Sequence, residues 1–353
     1  MFINAIALLL VMPLTNSEAS HPVAEMQFTP GLVSTTAKLA PSPIDEVDWN
    51  RNIGELVLDV ESALFSDWVL ASTRKMSRVE DGYRILGELR IAARERLRSL
   101  YTSPSETGLQ LESLELIHDL LNERGFTYKD YQAQSTRMLG HHTLSFGLAR
   151  KELDCSMYTV VYLAIAEDLG LPLSGISMPE HLAVRWAHAD GTYTNWETTV
   201  GKVATDEFYR RWKSLDETQT DPGVYLRSLS KAEVLATAFG EKALLLLNRG
   251  AVPAAQVAAQ CAVQLAPLSP DNQNLRGLVA RKCGDLSLAM ASFEKAITLD
   301  PTFSHVHFNL GNCALESGDL ALAHVMAKRL ERLDGGLAQR LQIAIGTVLA
   351  SKE

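Results

Sequence analysis

Cysteine is scarce in this chain, with four residues in 353. At that length four cysteines make no disulfide framework. There is no C-x-x-C, and no cysteine pair stands at zinc-ligand spacing from a histidine pair, which speaks against a structural metal module. A basic surplus is lacking as well: 33 Lys and Arg face 42 Asp and Glu, for a formal net charge of −9. Nucleic acid and anionic membranes both need a basic surface, and no Lys/Arg cluster interleaved with aromatics supplies one locally. Long apolar runs are missing too. The run near the N-terminus covers residues 5–14, is broken by Pro13, and falls short of the roughly 20 residues a spanning helix needs. The expectation is therefore no nucleic-acid partner, no integral membrane span, and neither metal nor cofactor.

What is present is the composition of a folded globular protein, 46% hydrophobic and 21% charged, long enough for two domains. Residues 1–19 read as a signal peptide. A short apolar core is followed by Ser17-Glu18-Ala19, which puts small residues at −3 and −1 of a cleavage after Ala19. The n-region carries no Lys or Arg, so the plainer reading is an unprocessed apolar N-terminus. No cysteine follows to take a lipid anchor. With a signal peptide the protein is secreted or periplasmic; without one it is cytoplasmic. Residues 20–48, rich in Ser, Thr, Pro and Ala, read as a linker or poorly ordered arm.

Periodicity then sets in. Ile53, Leu56, Val57, Val60 and Leu64 recur at helical spacing. Residues 82–100 place Ile85, Leu86, Leu89, Ile91 and Leu97 among arginines and glutamates, as an amphipathic helix does. Residues 109–122 form a third such segment, with Gly125 as its stop. The polar stretch 132–147, which holds His141-His142, reads as loop with short turns. From Ser156 the pattern is apolar on nearly every side, the mark of a buried helix, ending at Gly170 with Pro172 beyond. Ile176 and Met178 indicate a short strand. Residues 182–186 and 193–198 alternate with period two around an Ala-Asp-Gly turn.

Cys155 opens the buried helix. There the unpaired N–H groups and the positive end of the helix dipole favour a thiolate. A thiolate nucleophile also needs a base and a group that orients that base. His181 starts one strand and Glu197 lies on the next. A hairpin centred on Ala189 sets His181 directly opposite Glu197 on one face, whereas a two-residue turn at Asp190-Gly191 puts them on opposite faces. The chemistry predicts the longer loop and a thiol pKa depressed by helix end and histidine together. The plainer readings are a buried structural cysteine, a hydrogen-bonded strand histidine and a solvated edge carboxylate. Arg185 shares the His181 face, either to contact a substrate carboxylate or as an ordinary exposed arginine.

The last third is a repeat. Ala255, Ala289 and Ala323 are 34 residues apart, as are Pro267 and Pro301. Gly277, Ala289, Phe293, Ala296 and Pro301 fit the tetratricopeptide spacing, and Gly311 with Ala323 continues it. About three helix-turn-helix units run over residues 236–337. His305-Val306-His307 falls on the first helix of a unit, where the two rings diverge and make no metal site. Cys283 and Cys313 are most simply helix-packing residues, the alternative being that they meet between adjacent repeats and oxidise in an extracytoplasmic setting.

Cys155 before an apolar helix, Leu-Gly-Leu-Pro at 169–172, His181 before an alternating strand and Trp-Glu-Thr-Thr at 196–199 together resemble the transglutaminase-like superfamily. With C-terminal tetratricopeptide repeats, the chain is similar to bacterial SirB1-type proteins. The resemblance implies an α+β, papain-like core of helices and antiparallel sheet over residues 49–230, followed by an all-α repeat array over 231–353. It implies acyl transfer from an amide through a thioester, with Cys155 as nucleophile, His181 as base and Glu197 in the position of the acid. Glu in place of the family's Asp lengthens that arm by one methylene, and Asn195 on the same face is a second candidate to orient His181, as an asparagine does in papain-like enzymes. The partners implied are a protein or peptide substrate and a protein bound by the repeats. The rival is an inactive interaction protein in which the repeats carry the function.

Overall fold

A computed structural model of the chain describes residues 44, 47–65, 79–100, 109–130, 143–215, 217–220 and 223–350. The signal-peptide reading, nearly all of the arm at 20–48, and His141-His142 lie outside them.

Three helices come first: α1 (Ile53–Phe65), α2 (Val79–Leu100) and α3 (Leu109–Glu123). Their inward faces carry Leu56, Val57 and Val60, then Leu86, Leu89, Ala93 and Leu97, then Leu114, Ile117, Leu120 and Leu121, all in one apolar core. Ile91 departs from the expected face and is exposed, because it lies off the helical stripe that Leu86, Leu89, Ala93 and Leu97 define. Strand β1 (Thr127–Tyr128) pairs in parallel with β2 (Glu152–Leu153). Between them the expected loop gives way to helix α4 (Leu144–Arg150). Its first two backbone N–H groups are capped from a distance: Leu144 N and Ser145 N donate to the Glu61 carboxylate at 2.5 and 3.0 Å. Thr143 holds the N-cap position, but its side chain makes no capping hydrogen bond.

Helix α5 (Cys155–Leu169) runs through the centre, with every residue from Cys155 to Ala166 buried. It packs on an antiparallel sheet built from β3 (Leu173–Met178), β4 (His181–Ala187), β5 (Tyr193–Glu197), β6 (Lys202–Ala204) and β7 (Ser228–Leu229), in the order β6-β5-β4-β3-β7. Val184, Trp186 and Trp196 face α5, and the Trp196 indole donates to Tyr162 Oη at 3.1 Å. The opposite face, with Ile176, Met178 and Ala183, lies under Tyr209, Leu215, Val224, Tyr225 and Leu226. Those residues follow helix α6 (Asp206–Lys213) or lie within it, and the short helix α7 (Glu217–Thr220) sits among them.

The β4–β5 hairpin is centred on Asp190, one residue beyond the expected centre: Val184 opposes Trp196, Arg185 opposes Asn195 and Trp186 opposes Thr194. The loop decides this. His188 N donates to Thr192 O, and Gly191 takes a positive φ of 85°, closing a three-residue turn that Asp190 braces through Thr192. A shift of one in the centre moves partners by two, so faces are kept. His181 therefore reaches Glu197 diagonally instead of lying level with it.

The C-terminal part is an all-helical array: α8 (Lys231–Asn248) with α9 (Val252–Leu265), α10 (Pro270–Lys282) with α11 (Leu286–Leu299), α12 (Ser304–Ser317) with α13 (Leu320–Leu333), then α14 (Gly335–Ala350). A side chain at Gly277 would strike the Phe293 ring of α11, and one at Gly311 would strike Leu341 of α14, so close helix approach, within a pair and between pairs, is what the glycines serve. The array is not a detached module. Val234, Leu235, Ala238 and Phe239 of α8 belong to the same apolar core as α1 and α5. Lys242, 2% exposed, places Nζ 3.3 Å from the Glu61 carboxylate, itself 1% exposed. Further along, Gln219 donates to Asp300 at 3.1 Å and to Thr302 at 2.8 Å.

Candidate active site

Cys155 is the first residue of α5 because Asp154 caps the helix: Oδ1 accepts from Met157 N at 2.9 Å and from Ser156 Oγ at 2.8 Å. The thiol is buried, with the residue 8% exposed, and the backbone N–H of Leu182 at the start of β4 reaches its sulfur. The expected depression of its pKa does not hold. Burial pushes the thiol up, the Asp154 carboxylate pushes it further, and the charges of Glu241 and Glu197 add to this; the Leu182 N–H opposes them. Burial and the neighbouring carboxylates thus favour the neutral thiol.

His181 follows the two-residue turn Pro179-Glu180 that joins β3 to β4, and Glu180 takes a left-handed φ of 58°. His181 Nε2 lies 2.7 Å from Glu197 Oε2, with both side chains buried. The carboxylate is fully engaged. Oε2 also accepts from Tyr209 Oη at 3.1 Å, and Oε1 accepts from Thr199 N at 3.2 Å and Thr199 Oγ1 at 2.6 Å. Burial alone raises its pKa, but the His181 and Thr199 contacts outweigh that and hold it below the usual carboxylate value. An ionised carboxylate only accepts hydrogen bonds. Nε2 therefore carries the hydrogen, and the lone pair of a neutral His181 is on Nδ1.

The other residues on that face do different work. Asn195 is no substitute for Glu197: its Oδ1 accepts from Arg185 Nε at 2.7 Å and its Nδ2 donates to Asp206 at 2.6 Å. Arg185 is neither exposed nor free for a substrate. It is buried, donates to Asp206 at 2.9 Å and stacks on Tyr193 at 3.7 Å. Asp206 belongs to the following helix, so nothing in the hairpin sequence reveals this pairing. A small space is lined by Leu144, by Ser156 and Met157 just after the cysteine, by Leu182, and by Glu241 and Lys242 of the repeat array; Cys155 itself does not line it. Among the described residues no cluster of three or more His, Cys, Asp or Glu is placed to hold a metal ion, and no helix is long and apolar enough to cross a membrane. All four cysteines are free, with Cys283 exposed and Cys313 buried between helices.

With this geometry in view the sequence comparisons are decisive for the domain order. Residues 85–237 match the family model of the transglutaminase-like superfamily, and residues 270–303 and 292–325 match tetratricopeptide repeat models. The chain carries a transglutaminase-like domain followed by tetratricopeptide repeats. No curated protein is found similar to it by sequence. Among solved structures it is similar to the type III secretion chaperone SycD of Yersinia enterocolitica in complex with a peptide of the translocator YopD, at 19% identity over 33% of this chain and 94% of that one, with a TM-score of 0.31. It is also similar to a tetratricopeptide protein of Thermus thermophilus, at 18% identity over 74% of this chain and 99% of that one, with a TM-score of 0.28. Scores in that range carry nothing about this chain's fold or partners.

Within the transglutaminase-like domain the sequence pattern pointed to Cys155, His181 and Glu197, and the structure joins the last two directly. It also brings in residues the pattern missed. Tyr209 braces Glu197, and Trp212 packs edge-on against the His181 ring, with centroids 4.8 Å apart. Both come from α6, where Thr205 caps the helix and Phe208 and Trp212 stay exposed. Exposed aromatics on a short charged helix were the available signal.

Proposed function

We propose that this chain is a cysteine-dependent acyl-transfer enzyme, with Cys155 as nucleophile, His181 as base and then acid, and Glu197 as the carboxylate that orients His181. The observation that carries the reading is the buried 2.7 Å His181–Glu197 hydrogen bond, which fixes the tautomer a general base needs. In the first step His181 Nδ1 takes the thiol proton as Sγ attacks an amide carbonyl, and ionised Glu197 stabilises the imidazolium. The N–H of Cys155, in a first helical turn that has no intrahelical acceptors, faces the developing oxyanion. His181 then protonates the departing amine and a thioester remains. Water resolves it in hydrolysis or deamidation; an amine resolves it in cross-linking. The neutral resting thiol supports a nucleophile ionised by its base during attack, not beforehand.

The repeats present a protein or peptide substrate or bind a protein partner, since stacked helix pairs offer an extended surface; the combination is that of the SirB1-type proteins the sequence resembles. The test is amine or ammonia release from a panel of peptide amides. Activity lost in both Cys155→Ser and His181→Ala supports the reading, and activity retained in Cys155→Ser overturns it. One observation favours a second reading, an inactive interaction protein: the thiol is buried and its pKa raised. Absence of turnover across the panel, with partner binding intact, selects that reading.

A further inference from the structure

The turn between α11 and α12 carries a carboxylate that works outside the repeats. Asp300 is buried, 3% exposed. Its Oδ1 accepts from Thr302 N and Thr302 Oγ1 at 3.0 and 2.8 Å, and the Pro301 carbonyl accepts from His307 Nε2 at 2.8 Å, so the turn is fixed from the repeat side. From the other side come two buried residues of the transglutaminase-like domain. Gln219 Nε2 donates to Asp300 Oδ1 at 3.1 Å and to Thr302 Oγ1 at 2.8 Å, and Tyr225 Oη donates to Asp300 Oδ2 at 3.3 Å. Asp334 stands at the same place one repeat on, 34 residues later, and its side chain caps α14 through Leu337 N at 3.0 Å.

What Asp300 grips lies behind the proposed base. Tyr225 shares an apolar cluster with Met178, Ala183, Leu226 and Tyr209, and Leu299 packs against that cluster from the end of α11. Leu226 N donates to Ser177 O at 3.0 Å, next to Met178, which opposes His181 in the β3–β4 ladder. Tyr209 Oη in turn donates to Glu197 Oε2, the oxygen that holds His181 Nε2. A hydrogen-bonded pair is only as well oriented as the side chains packed behind it.

We propose that Asp300 is a positioning residue: by fixing Gln219 and Tyr225 it holds the packing behind Tyr209, and so the repeat array sets the geometry of the His181–Glu197 pair. This rests on the reading of that pair as the base and its orienting carboxylate, and it gives the repeats a part in the chemistry besides presenting a substrate or binding a partner.

Two readouts on the full chain test it. The first needs no substrate. The His181 Nε2 proton, hydrogen-bonded to a buried carboxylate, gives a downfield proton resonance, assigned by its loss in His181→Gln, and its exchange with water reports opening of the pair. Asp300→Ala should quicken that exchange about tenfold, on the scale of one lost hydrogen bond to a charged group. Asp300→Asn keeps an acceptor for Gln219 and Thr302 and should hold the exchange within about twofold of the parent. Asp334→Ala, which removes a cap of the neighbouring turn and leaves Asp300 in place, should not quicken it. The second readout is steady-state turnover of a peptide amide. In Asp300→Ala kcat should fall about tenfold or more with KM little changed, because a base held slightly out of place slows the chemistry and leaves binding alone. Tyr225→Phe removes one bond and keeps the ring; it should quicken the exchange to a smaller degree, and it carries the test if Asp300→Ala does not fold. Unchanged exchange in folded Asp300→Ala, or in Tyr225→Phe where Asp300→Ala does not fold, overturns the assignment. So does an equal change in Asp334→Ala, or an unchanged kcat in Asp300→Ala. Quickened exchange in a protein whose parent shows no turnover keeps the assignment and overturns the acyl-transfer reading alone.

Discussion

Replacing Lys242 by methionine tests whether repeats and core form one cooperative unit. Lys242 belongs to the first repeat helix, yet its ammonium is buried against Glu61 of α1, and Glu61 in turn caps α4. Removing one partner of a buried pair leaves an uncompensated charge and costs about 3–5 kcal/mol. Here the Leu144 and Ser145 N–H groups continue to serve Glu61, so the lower end, about 3 kcal/mol, applies. With a urea slope of about 3 kcal/mol/M for a chain of this size, the midpoint should fall by roughly 1 M, and it should fall for the whole molecule. The assay is urea unfolding followed by far-ultraviolet dichroism and by tryptophan fluorescence, because all five tryptophans precede the repeats. Adding Glu61→Gln to the variant should recover part of the loss, since one of the two carboxylates left unpaired is then neutral; the other, Glu241, also faces the lysine at 3.7 Å. A loss under 1 kcal/mol, or a fluorescence transition that stays in place while the dichroism shifts, would refute the coupling.

Three further outcomes follow from the same geometry. A chain cut after Ser230 should not fold: Val234, Leu235 and Phe239 each contribute about 1.5–3 kcal/mol of burial to the shared core, together on the scale of a domain's whole stability; a cooperative melt of that fragment would show the core is self-sufficient. Gly201→Ala should destabilise by about 2 kcal/mol or more, because Gly201 has a φ of 63° and a Cβ there meets the His118 ring; a melting temperature within 1 °C of the parent would contradict this. Glu197→Gln should abolish nearly all turnover, Asn195 being committed to Arg185 and Asp206, and should also flatten the acid limb of stability. The folded Glu197 pKa lies below its ordinary value, so its contribution is full above about pH 4.5 and is lost as pH falls through the depressed value; an unchanged acid limb in the variant would count against it.

Some of this was legible in the chain. The repeats could be read because Gly277 and Gly311 recur at one period, each at a close helix approach that admits little variation. The start of α5 could be read because Asp154 caps it locally. The shared face of His181 and Glu197 followed from alternation, which depends only on parity; the exact register did not, because the left-handed Gly191 sets it through loop conformation. Helix α4 was missed for lack of a local cap, Glu61 being distant in sequence. The thiol environment was only half legible: the helix end, the histidine and the opposing charge of Asp154 all lie nearby in sequence, whereas burial, the largest effect, and the Glu241 charge from the repeats appear only after folding.

The most direct measurement is covalent. The full chain is mixed with an activated acyl ester, quenched in acid, and the acyl mass located by peptide mass spectrometry over a time course. The account predicts an acyl group on Cys155 in the parent protein and acylation slowed about 10²-fold or more in His181→Ala, because a buried neutral thiol depends on its base. Acylation of the exposed Cys283 but not of Cys155, or equal rates at Cys155 with and without His181, would contradict it.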